Sequence, residues 1–378
     1  HFRLSNDVVD ISVIIPCLNE KDTIGICVSK SIEQIKNNKF EGEVIVADNG
    51  SSDGSIKIAL EKGARIINVK KRGYGRALQE GIAGAKGEYI FMADADNSYD
   101  FNKINDFYNK IKEGYDMVNG CRLPRSGGQI EKNAMPLSHR YVGNPFFTWM
   151  AKRIYRINVN DIYCGMKIFN RNFFNKLDFF FFGMVFNVEL LIKFHLAGAK
   201  ITELPITLYK DGRVNTQKHL KTISDGFSTL KFFLIFCPKL LYFVPAVIII
   251  FIGIVNLVLN LNNLIDTSFI VSLGIFFTSV LASIQLSILG LYTHLIAKSM
   301  NLIDNSPMID NFFRIFTIKK SLFLSMLILF LVALLQLNNF LNFDRDTINL
   351  SSLFLCLTSL TIFFNSLFVS LLSINQKN

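Results

Sequence analysis

Sequence patterns typical of zinc-binding, nucleic-acid-binding or secreted proteins are missing from this 378-residue chain. Its six cysteines form no C-x-x-C pair and have no histidine at a zinc-ligand spacing, so we expect reduced structural thiols. Its basic residues are dispersed, with no basic run interleaved with aromatic residues, which argues against a nucleic-acid partner despite a formal charge of +10. No signal peptide is visible near His1, so the polar half is expected in the cytoplasm.

The chain divides into a polar half and an apolar half. Half of its residues are hydrophobic, which is unusual for a soluble protein, yet 19% are charged, which is too many for a chain that lies wholly in a membrane. A membrane-spanning helix takes about 20 residues. Four runs fit that length, near 240–259, 269–296, 322–337 and 350–374. We therefore expect a transmembrane domain over 240–378, with a buried helical core as the alternative.

Basic residues beside the apolar runs indicate their orientation. Lys298, Arg314, Lys319 and Lys320 fall on the side of the N-terminal half, whereas the opposite loops offer only Arg345. By the positive-inside rule, the chain is expected to be an integral membrane protein with both termini in the cytoplasm.

The segment 219–239 links the two halves. Its apolar residues, among them Phe227 and Phe233, recur at helical spacing against Lys221, Asp225 and Lys231. This pattern predicts an amphipathic helix that lies in the headgroup plane of a lipid bilayer, with a core helix as the alternative.

The first hundred residues alternate between short β-branched runs and helical patterns. Strands are predicted over 11–15, 43–47, 66–69 and 89–93, and helices over 23–35, 54–61 and 74–85. Such alternation predicts an α/β domain of parallel strands joined by crossover helices. Ligands of such sheets bind beyond the carboxyl ends of the strands.

Polar segments follow three of these strands, at 16–20, 48–54 and 94–96. Asp94 and Asp96 offer hard oxygen ligands of the kind that hold Mg²⁺ or Mn²⁺ together with a substrate's phosphates, with a turn or helix cap as the alternative. Asp48 lies where a base or ribose could be read, or it caps the next helix. The Gly73-Tyr74-Gly75 turn begins a helix, a place suited to the approach of an anion.

These motifs, in this order and spacing, resemble glycosyltransferase family 2, whose nucleotide-sugar domain is of the GT-A type. The later motifs resemble the branch with dolichyl-phosphate mannosyltransferases and bacterial polyprenyl-phosphate glucosyltransferases. They are GCR at 120–122, MPLSHR at 135–140, DIYCGMK at 161–167, FNVE at 186–189 and DGR at 211–213. The resemblance covers roughly residues 8–240. It implies a GT-A type domain over 1–218, before the interfacial helix and the membrane domain.

The resemblance also assigns roles to residues. Nucleotide contacts would come from Pro16, Leu18, Glu20, Asp48, Gly75 and Asp94, and metal contacts from Asp94 and Asp96. Arg122, Arg140 and Arg213 would face the donor diphosphate and the acceptor phosphate, with surface salt bridges as the alternative. Glu189 would position the sugar or an arginine. Ser98 stands where relatives often carry Gln as a further metal contact, and the Q-x-x-R-W signature of processive synthases is absent.

The activity implied by the resemblance is inverting transfer of a hexose from a UDP-glucose or GDP-mannose type donor to a polyprenyl or dolichyl phosphate at the cytoplasmic membrane face. A phosphate monoester, with a second pKa of about 6, is already ionised and needs no general base. The alternatives are an alcohol acceptor, which would need Glu189 or Asp161 as a base, an inactive scaffold, and a carrier of lipid-linked sugars. The sequence leaves open whether the chain forms a homo-oligomer.

Overall fold

The computed structural model describes residues 9–214, 222–235, 239–299, 318–337 and 345–374. Contacts between residues divide the chain into two compact units, His1–Phe233 and Leu234–Asn378. The division falls inside the 219–239 segment. The predicted boundaries at 218 and 239 and the membrane-surface position of this segment stay predictions.

A seven-stranded sheet forms the centre of the first unit. Its main strands are β1 (Ile11–Cys17), β2 (Gly42–Asp48), β3 (Arg65–Asn68), β4 (Tyr89–Met92), β5 (Met117–Cys121), β7 (Lys167–Asn170) and β8 (Ile201–Pro205). Their order is β3-β2-β1-β4-β7-β5-β8, and only β7 runs antiparallel to its neighbours. Two short strands, β6 (Gln129–Ile130) and β9 (Thr207–Leu208), pair separately. The predicted mostly parallel α/β domain of GT-A type is confirmed.

Helices connect the strands as the alternating pattern predicts. They are α1 (Ile24–Asn37), α2 (Ser55–Glu61), α3 (Tyr74–Ala83), α4 (Ile104–Lys112), α5 (Asn144–Tyr155), α6 (Arg171–Phe174) and α7 (Phe186–Leu196). The predicted elements up to β4 are confirmed to within two residues. Because β1, β2 and β4 are adjacent and parallel, their carboxyl ends lie at one edge of the sheet. The register pairs Cys17 with Asp48 there.

Helix α8 (Thr222–Ile235) packs partly into the core of the first unit. Phe233 is buried against Phe147 and Tyr155, and Phe232 is buried against Phe181. Phe227 is exposed. Phe233 is therefore a core contact at this end of the helix, and the position of the helix relative to a membrane stays a prediction.

The second unit consists of long helices: α9 (Val244–Leu261), α10 (Phe269–Ser299), α11 (Ile318–Leu337) and α12 (Arg345–Ile374). Among the described residues, three segments are long and apolar enough to cross a membrane, namely Leu241–Leu261, Phe269–Lys298 and Arg345–Phe368. These match the first, second and fourth predicted spans. A helix also covers the third run, 322–337, whose membrane crossing stays a prediction.

Small residues allow close packing between the helices of the second unit. A Cβ added at Gly253 of α9 would lie 2.6 Å from Ser279 of α10. Ser325 of α11 and Ser359 of α12 exchange hydrogen bonds, with 2.9 Å between the two hydroxyl oxygens. Interfaces of this kind are typical of helices that associate without a hydrophobic driving force.

Candidate active site

The loops after β1 and β2 are held together by hydrogen bonds between side chains and backbone. The Asn19 N–H donates to Ser51 Oγ at 2.9 Å, and the Ser52 N–H donates to Asn19 Oδ1 at 2.8 Å. The Glu20 N–H donates to Ser55 Oγ at 2.8 Å. Asn19 has a φ of 56°, a left-handed conformation that asparagine tolerates better than most residues. The DNGSSDGS motif thus positions the loop that carries Glu20.

Asp48, at the carboxyl end of β2, is buried and makes a turn instead of capping α2. Its carboxylate accepts the Ser51 N–H at 3.0 Å. Asp53 is the residue that accepts the Ser55 N–H at the start of α2. Pro16 and Leu18 flank the end of β1 and are half-buried. The nucleotide contacts of Pro16, Leu18 and Asp48 stay predictions, but these three residues lie at the expected edge of the sheet.

Asp94 and Asp96 follow β4 and are held by different partners. Tyr74 Oη donates to Asp94 Oδ1 at 2.7 Å. The Ser98 hydroxyl and N–H donate to Asp96 Oδ1 at 2.6 and 3.0 Å. Ser98 therefore orients the second aspartate, at the position where relatives often carry Gln. Burial, and next the charge of Asp96, raises the pKa of Asp94 to about 6.

Arg213 joins acidic side chains from separate parts of the chain. Its guanidinium lies 3.2 Å from Glu20 Oε2, 3.1 Å from Asp96 Oδ2 and 3.2 Å from Asp211 Oδ1. The Gly212 N–H donates to the Asp96 carbonyl at 2.9 Å, which brings this segment beside the aspartates. Burial raises the pKa of Glu20 to about 8, although Arg213 opposes the shift. The predicted residues Glu20, Asp96 and Arg213 thus form one cluster.

Arg122 pairs with a carboxylate inside the domain. It is buried and forms a bidentate pair with the buried Asp161, with N–O distances of 2.7 and 2.8 Å. Burial of Asp161 disfavours its ionised form, but the Arg122 charge holds the pKa of that carboxyl below its usual range. A surface salt bridge does not describe this pair, because both partners are buried, and a phosphate contact of Arg122 stays a prediction.

Arg140 lies on a π-helical turn, His139–Gly143, just before α5. Its guanidinium carbon is 5.4 Å from the centre of the Tyr141 ring, and the side chain is half-buried. Among the three predicted arginines, Arg213 is the one that the structure pairs with Asp96. A phosphate contact of Arg140 stays a prediction.

Glu189 is fully buried near the start of α7 and holds a loop. Its carboxylate accepts the N–H groups of Phe180 and Phe181 at 2.9 and 3.0 Å, and it lies 3.2 Å from Lys193 Nζ. The loop passes close to α3: a Cβ added at Gly75 would lie 2.9 Å from the Phe181 carbonyl oxygen and 2.6 Å from Phe186 Cβ. Packing thus requires a glycine at 75, and Glu189 holds this loop. A nucleotide contact of Gly75 and a role of Glu189 in positioning the sugar or an arginine stay predictions.

Two polar residues of the site were not singled out from the sequence. Tyr74 lies inside the GYG motif and Asn187 inside the FNVE motif. Asn187 Nδ2 donates to Tyr74 Oη at 3.2 Å, so both residues connect to Asp94. The sequence signal that could have identified them was their position inside these two motifs.

The acidic residues suit a cation that is shared with a ligand. Within the described residues, no three His, Cys, Asp or Glu side chains are grouped to hold a metal by themselves. Mg²⁺ usually takes one or two carboxylates and completes its shell with substrate phosphates and water. Repulsion between Asp94 and Asp96 contributes to the raised pKa of Asp94. A Cβ added at Gly165 would lie only 2.7 Å from Asp94 Oδ2, so glycine there lets the backbone approach that oxygen closely.

Comparison with known proteins agrees with this arrangement. Residues 12–178 match the family model described as Glycosyl transferase family 2. The low-salt glycan biosynthesis hexosyltransferase Agl6 of Haloferax volcanii is 34% identical over 251 residues, which are 66% of this chain and 59% of that protein. The chain thus spans less than two thirds of the length of that curated relative. A dolichyl-phosphate hexose transferase of the same organism is 28% identical over 197 residues, covering 52% of this chain and 82% of that protein.

Solved structures with a similar fold are more distant. Glucosyl-3-phosphoglycerate synthase from Mycobacterium tuberculosis, in complex with phosphoglyceric acid, is 22% identical with a TM-score of 0.48, covering 59% of this chain and 79% of that one. A likeness at this level says nothing about substrate. The family model and the two Haloferax relatives agree with the motifs and the sheet: residues 12–178 match a glycosyltransferase family 2 domain.

Proposed function

We propose that the chain is an inverting, metal-dependent hexosyltransferase that transfers a hexose from a UDP-glucose or GDP-mannose type donor to a polyprenyl or dolichyl phosphate at the cytoplasmic membrane face. The observation that carries the proposal is the cluster of Glu20, Asp94, Asp96 and Arg213 at the carboxyl ends of β1 and β4. It is joined by three helices, among the residues that the structure describes, that are apolar enough to span a membrane. The similarity to a dolichyl-phosphate hexose transferase supports the acceptor class.

The donor nucleotide would bind along the edge where β1, β2 and β4 end. Pro16, Leu18, Glu20 and Asp48 lie there, and parallel sheets bind nucleotides at this edge. Asp94 and Asp96 would hold Mg²⁺ or Mn²⁺ against the diphosphate. When bound, the cation supplies charge neutralisation and Lewis-acid stabilisation of the leaving nucleoside diphosphate.

Arg213 supplies positive charge beside the same oxygens. Its guanidinium already lies 3.1 Å from Asp96 Oδ2, and Arg is suited to bidentate contacts with phosphate. We expect Arg213 to exchange part of its contact with Asp96 for a phosphate oxygen when the donor binds. The nearby Asp211 and Glu20 would keep the guanidinium at the site during that exchange.

The surroundings of Asp161 and Glu189 favour a phosphate acceptor over an alcohol acceptor, which would need one of these carboxylates as a general base. Asp161 is buried in its pair with Arg122, and Glu189 is buried against Lys193 and two backbone N–H groups. Neither carboxylate is available to remove a proton from an alcohol. A phosphate monoester is already ionised near neutral pH and needs no such base.

An exposed apolar surface on the first unit supports a membrane-bound acceptor. The surface consists of Leu137, just before the π-helical turn, and of Tyr141, Val142, Phe146 and Trp149 on that turn and α5. The opposite face of α5, with Thr148 and Tyr155, is buried. Apolar patches of this kind on otherwise polar domains mark interaction sites, and bilayers bind aromatic residues at the headgroup level.

The full chain in detergent, incubated with polyprenyl or dolichyl phosphate, Mn²⁺ and a panel of UDP- and GDP-sugars, tests this proposal. We expect a lipid-linked hexose of the predicted mass, and inversion at the anomeric carbon by NMR. Asp94→Asn with Asp96→Asn should abolish the product, whereas Asp106→Asn, which removes an exposed carboxylate paired with Lys103, should not.

Two outcomes would contradict the proposal. Formation of product only with an alcohol acceptor would move the assignment to a different transferase. Binding of UDP or GDP without product from any donor, in the presence of either lipid phosphate, would favour the scaffold.

A further inference from the structure

Tyr74 and Asn187 form a short hydrogen-bonded chain that ends on Asp94. Asn187 Nδ2 lies 3.2 Å from Tyr74 Oη, which lies 2.7 Å from Asp94 Oδ1. We propose that these hydrogen bonds position the Asp94 carboxylate. The Tyr74 hydroxyl occupies Oδ1 of Asp94 and thereby leaves Oδ2 for the cation that would be held against the donor diphosphate. The inference rests on the proposed function, because it assigns a task to two residues that support the same aspartate.

The direction of each hydrogen bond follows from the chemistry of the groups. An ionised carboxylate only accepts hydrogen bonds, so Tyr74 must donate its single proton to Asp94. A phenol has an ordinary pKa of about 10, so the hydroxyl keeps that proton near neutral pH. The tyrosine oxygen can then only accept from Asn187. The Asn187 side chain must therefore turn its Nδ2 toward Tyr74.

This orientation leaves Asn187 Oδ1 unsatisfied. The residue is 2% exposed, and its Oδ1 has no hydrogen-bond partner among the described residues. An unpaired buried acceptor lowers stability. The contact with Tyr74 is thus the side-chain hydrogen bond that the structure gives the Asn187 amide among the described residues.

The surrounding backbone holds both residues in place. Tyr74 begins α3 between two glycines, and a Cβ added at Gly73 would lie 2.5 Å from the Phe182 carbonyl oxygen. Asn187 lies in the first turn of α7, two residues before Glu189, which fixes the loop that includes Phe181. Because α3 and α7 are both packed against this loop, the Tyr74 ring is set at a fixed distance from Asp94.

The backbone of Gly165 lies close to Oδ2 of Asp94. A Cβ added at Gly165 would lie 2.7 Å from Oδ2 and 3.3 Å from Oδ1. One carboxylate oxygen is thus engaged by a neutral donor, and a side chain at position 165 would clash with the other. Hydrogen bonds of this type to metal-ligating carboxylates fix ligand orientation, and their loss typically weakens metal binding about 10- to 100-fold.

Binding of Mn²⁺ to the full chain with saturating UDP, followed by electron paramagnetic resonance of the free ion, tests the inference without a catalytic readout. Tyr74→Phe keeps the ring and removes only the hydroxyl, and we expect it to raise the Kd for Mn²⁺ about 10- to 100-fold. Asn187→Leu should raise the Kd less. The double variant should match Tyr74→Phe, because Asn187 acts through the hydroxyl.

Tyr108→Phe is the matched control. Tyr108 packs against Phe40 and Tyr89 in the same domain, and its ring is kept in the variant, so the Kd should equal that of the wild type. Thermal unfolding of each variant in detergent separates loss of fold from loss of metal affinity.

The two proposals fail in different ways. If Asp94→Asn leaves Mn²⁺ binding unchanged, the proposed metal role of Asp94 is wrong. If Asp94→Asn abolishes binding but a folded Tyr74→Phe variant keeps the Kd within about twofold of the wild type, the positioning role is overturned and the proposed function stands. An additive loss in the double variant would also overturn it.

Discussion

At the scale of single residues, the partners of a charged side chain decide what it can do. Arg122 and Arg213 both lie in motifs that carry the resemblance, yet Arg122 pairs with the buried Asp161 whereas Arg213 lies among three carboxylates at the sheet edge. The resemblance implied a phosphate contact for both. The structure shows that the two guanidinium groups have different partners, which the residue type alone did not indicate.

Removal of Arg122 is expected to destabilise the protein severely. Arg122→Met leaves the Asp161 carboxylate buried without its charge partner, which typically costs about 3 to 5 kcal/mol. Arg65→Met, which breaks the partly exposed pair with Glu43, should cost only about 0 to 1 kcal/mol. Thermal unfolding of both variants in detergent gives the comparison. Equal losses of Tm would show that the buried pair contributes no more than the exposed one.

The buried amine of Lys167 predicts a pH dependence of stability. Lys167 Nζ donates to Asn119 Oδ1 and the Cys164 carbonyl, and burial lowers its pKa to about 8. Above pH 8 the folded amine is neutral, whereas the unfolded amine, with a pKa of about 10.4, still binds a proton. Since the unfolded state then binds more protons, the contribution of Lys167 to stability rises between about pH 8 and 10.4.

A Lys167→Met variant lacks this contribution. We expect the Tm of the wild type to rise relative to that of the variant across this pH window, when both are measured in detergent. Lys57→Met changes an amine whose side chain is 83% exposed and should give a constant difference. Parallel curves for the wild type and Lys167→Met would contradict the assignment.

At the scale of secondary-structure elements, the loop between α6 and α7 determines how α3 begins. Carbonyl groups of Phe181, Phe182 and Gly183 approach the glycines of the GYG turn closely, and Arg76 lies 3.8 Å from the centre of the Phe182 ring. The sequence indicated a tight turn suited to an anion. The structure adds that these glycines allow the loop before α7 to pack closely against α3. Glu189 holds the same loop through the backbone N–H groups of Phe180 and Phe181.

A methyl group at position 75 should therefore be harmful. The Cβ of Gly75→Ala would lie 2.6 Å from Phe186 Cβ and 2.9 Å from a carbonyl oxygen, and overpacking of this kind typically costs about 1 to 3 kcal/mol. Gly183→Ala is the control, because nothing lies within 4 Å of its added Cβ. Thermal unfolding should show a clear loss for Gly75→Ala alone. An equal effect of both variants would mean that the loop moves away freely.

At the scale of the whole molecule, the chain joins a polar domain to a set of apolar helices. The proposed lipid acceptor would have its phosphate at the bilayer surface and its chain in the hydrocarbon, so a membrane tether on the domain would raise the local concentration of acceptor. The apolar surface of Leu137, Tyr141, Val142, Phe146 and Trp149 would then rest on the headgroup region.

Trp149 is the sole tryptophan of the chain and is 59% exposed, so its fluorescence reports on this surface directly. In the full chain reconstituted with brominated lipids, we expect strong quenching of Trp149 and weak quenching by acrylamide in the water phase. Trp149→Phe provides the background. Efficient quenching by acrylamide, with no effect of the brominated lipids, would place this surface in water.

The sequence by itself determined the alternation of strands and helices, the apolar runs, and the edge where Glu20, Asp48, Asp94 and Asp96 gather. These features are local, because side-chain period and run length dictate which segments become strands, helices or spans. For this reason the first seven elements agree with the prediction to within two residues. Residues 16–20, 48–54 and 94–96 also converge at the carboxyl ends of parallel strands, as predicted.

Only the tertiary structure decided which partner each side chain takes. Arg122 met Asp161, Glu189 met the backbone of the Phe180 loop, and Phe233 entered the core. Tyr74 and Asn187, which lie 113 residues apart, came together on Asp94. Such pairings join segments that are remote along the chain, and their free energy depends on burial, which no local pattern encodes.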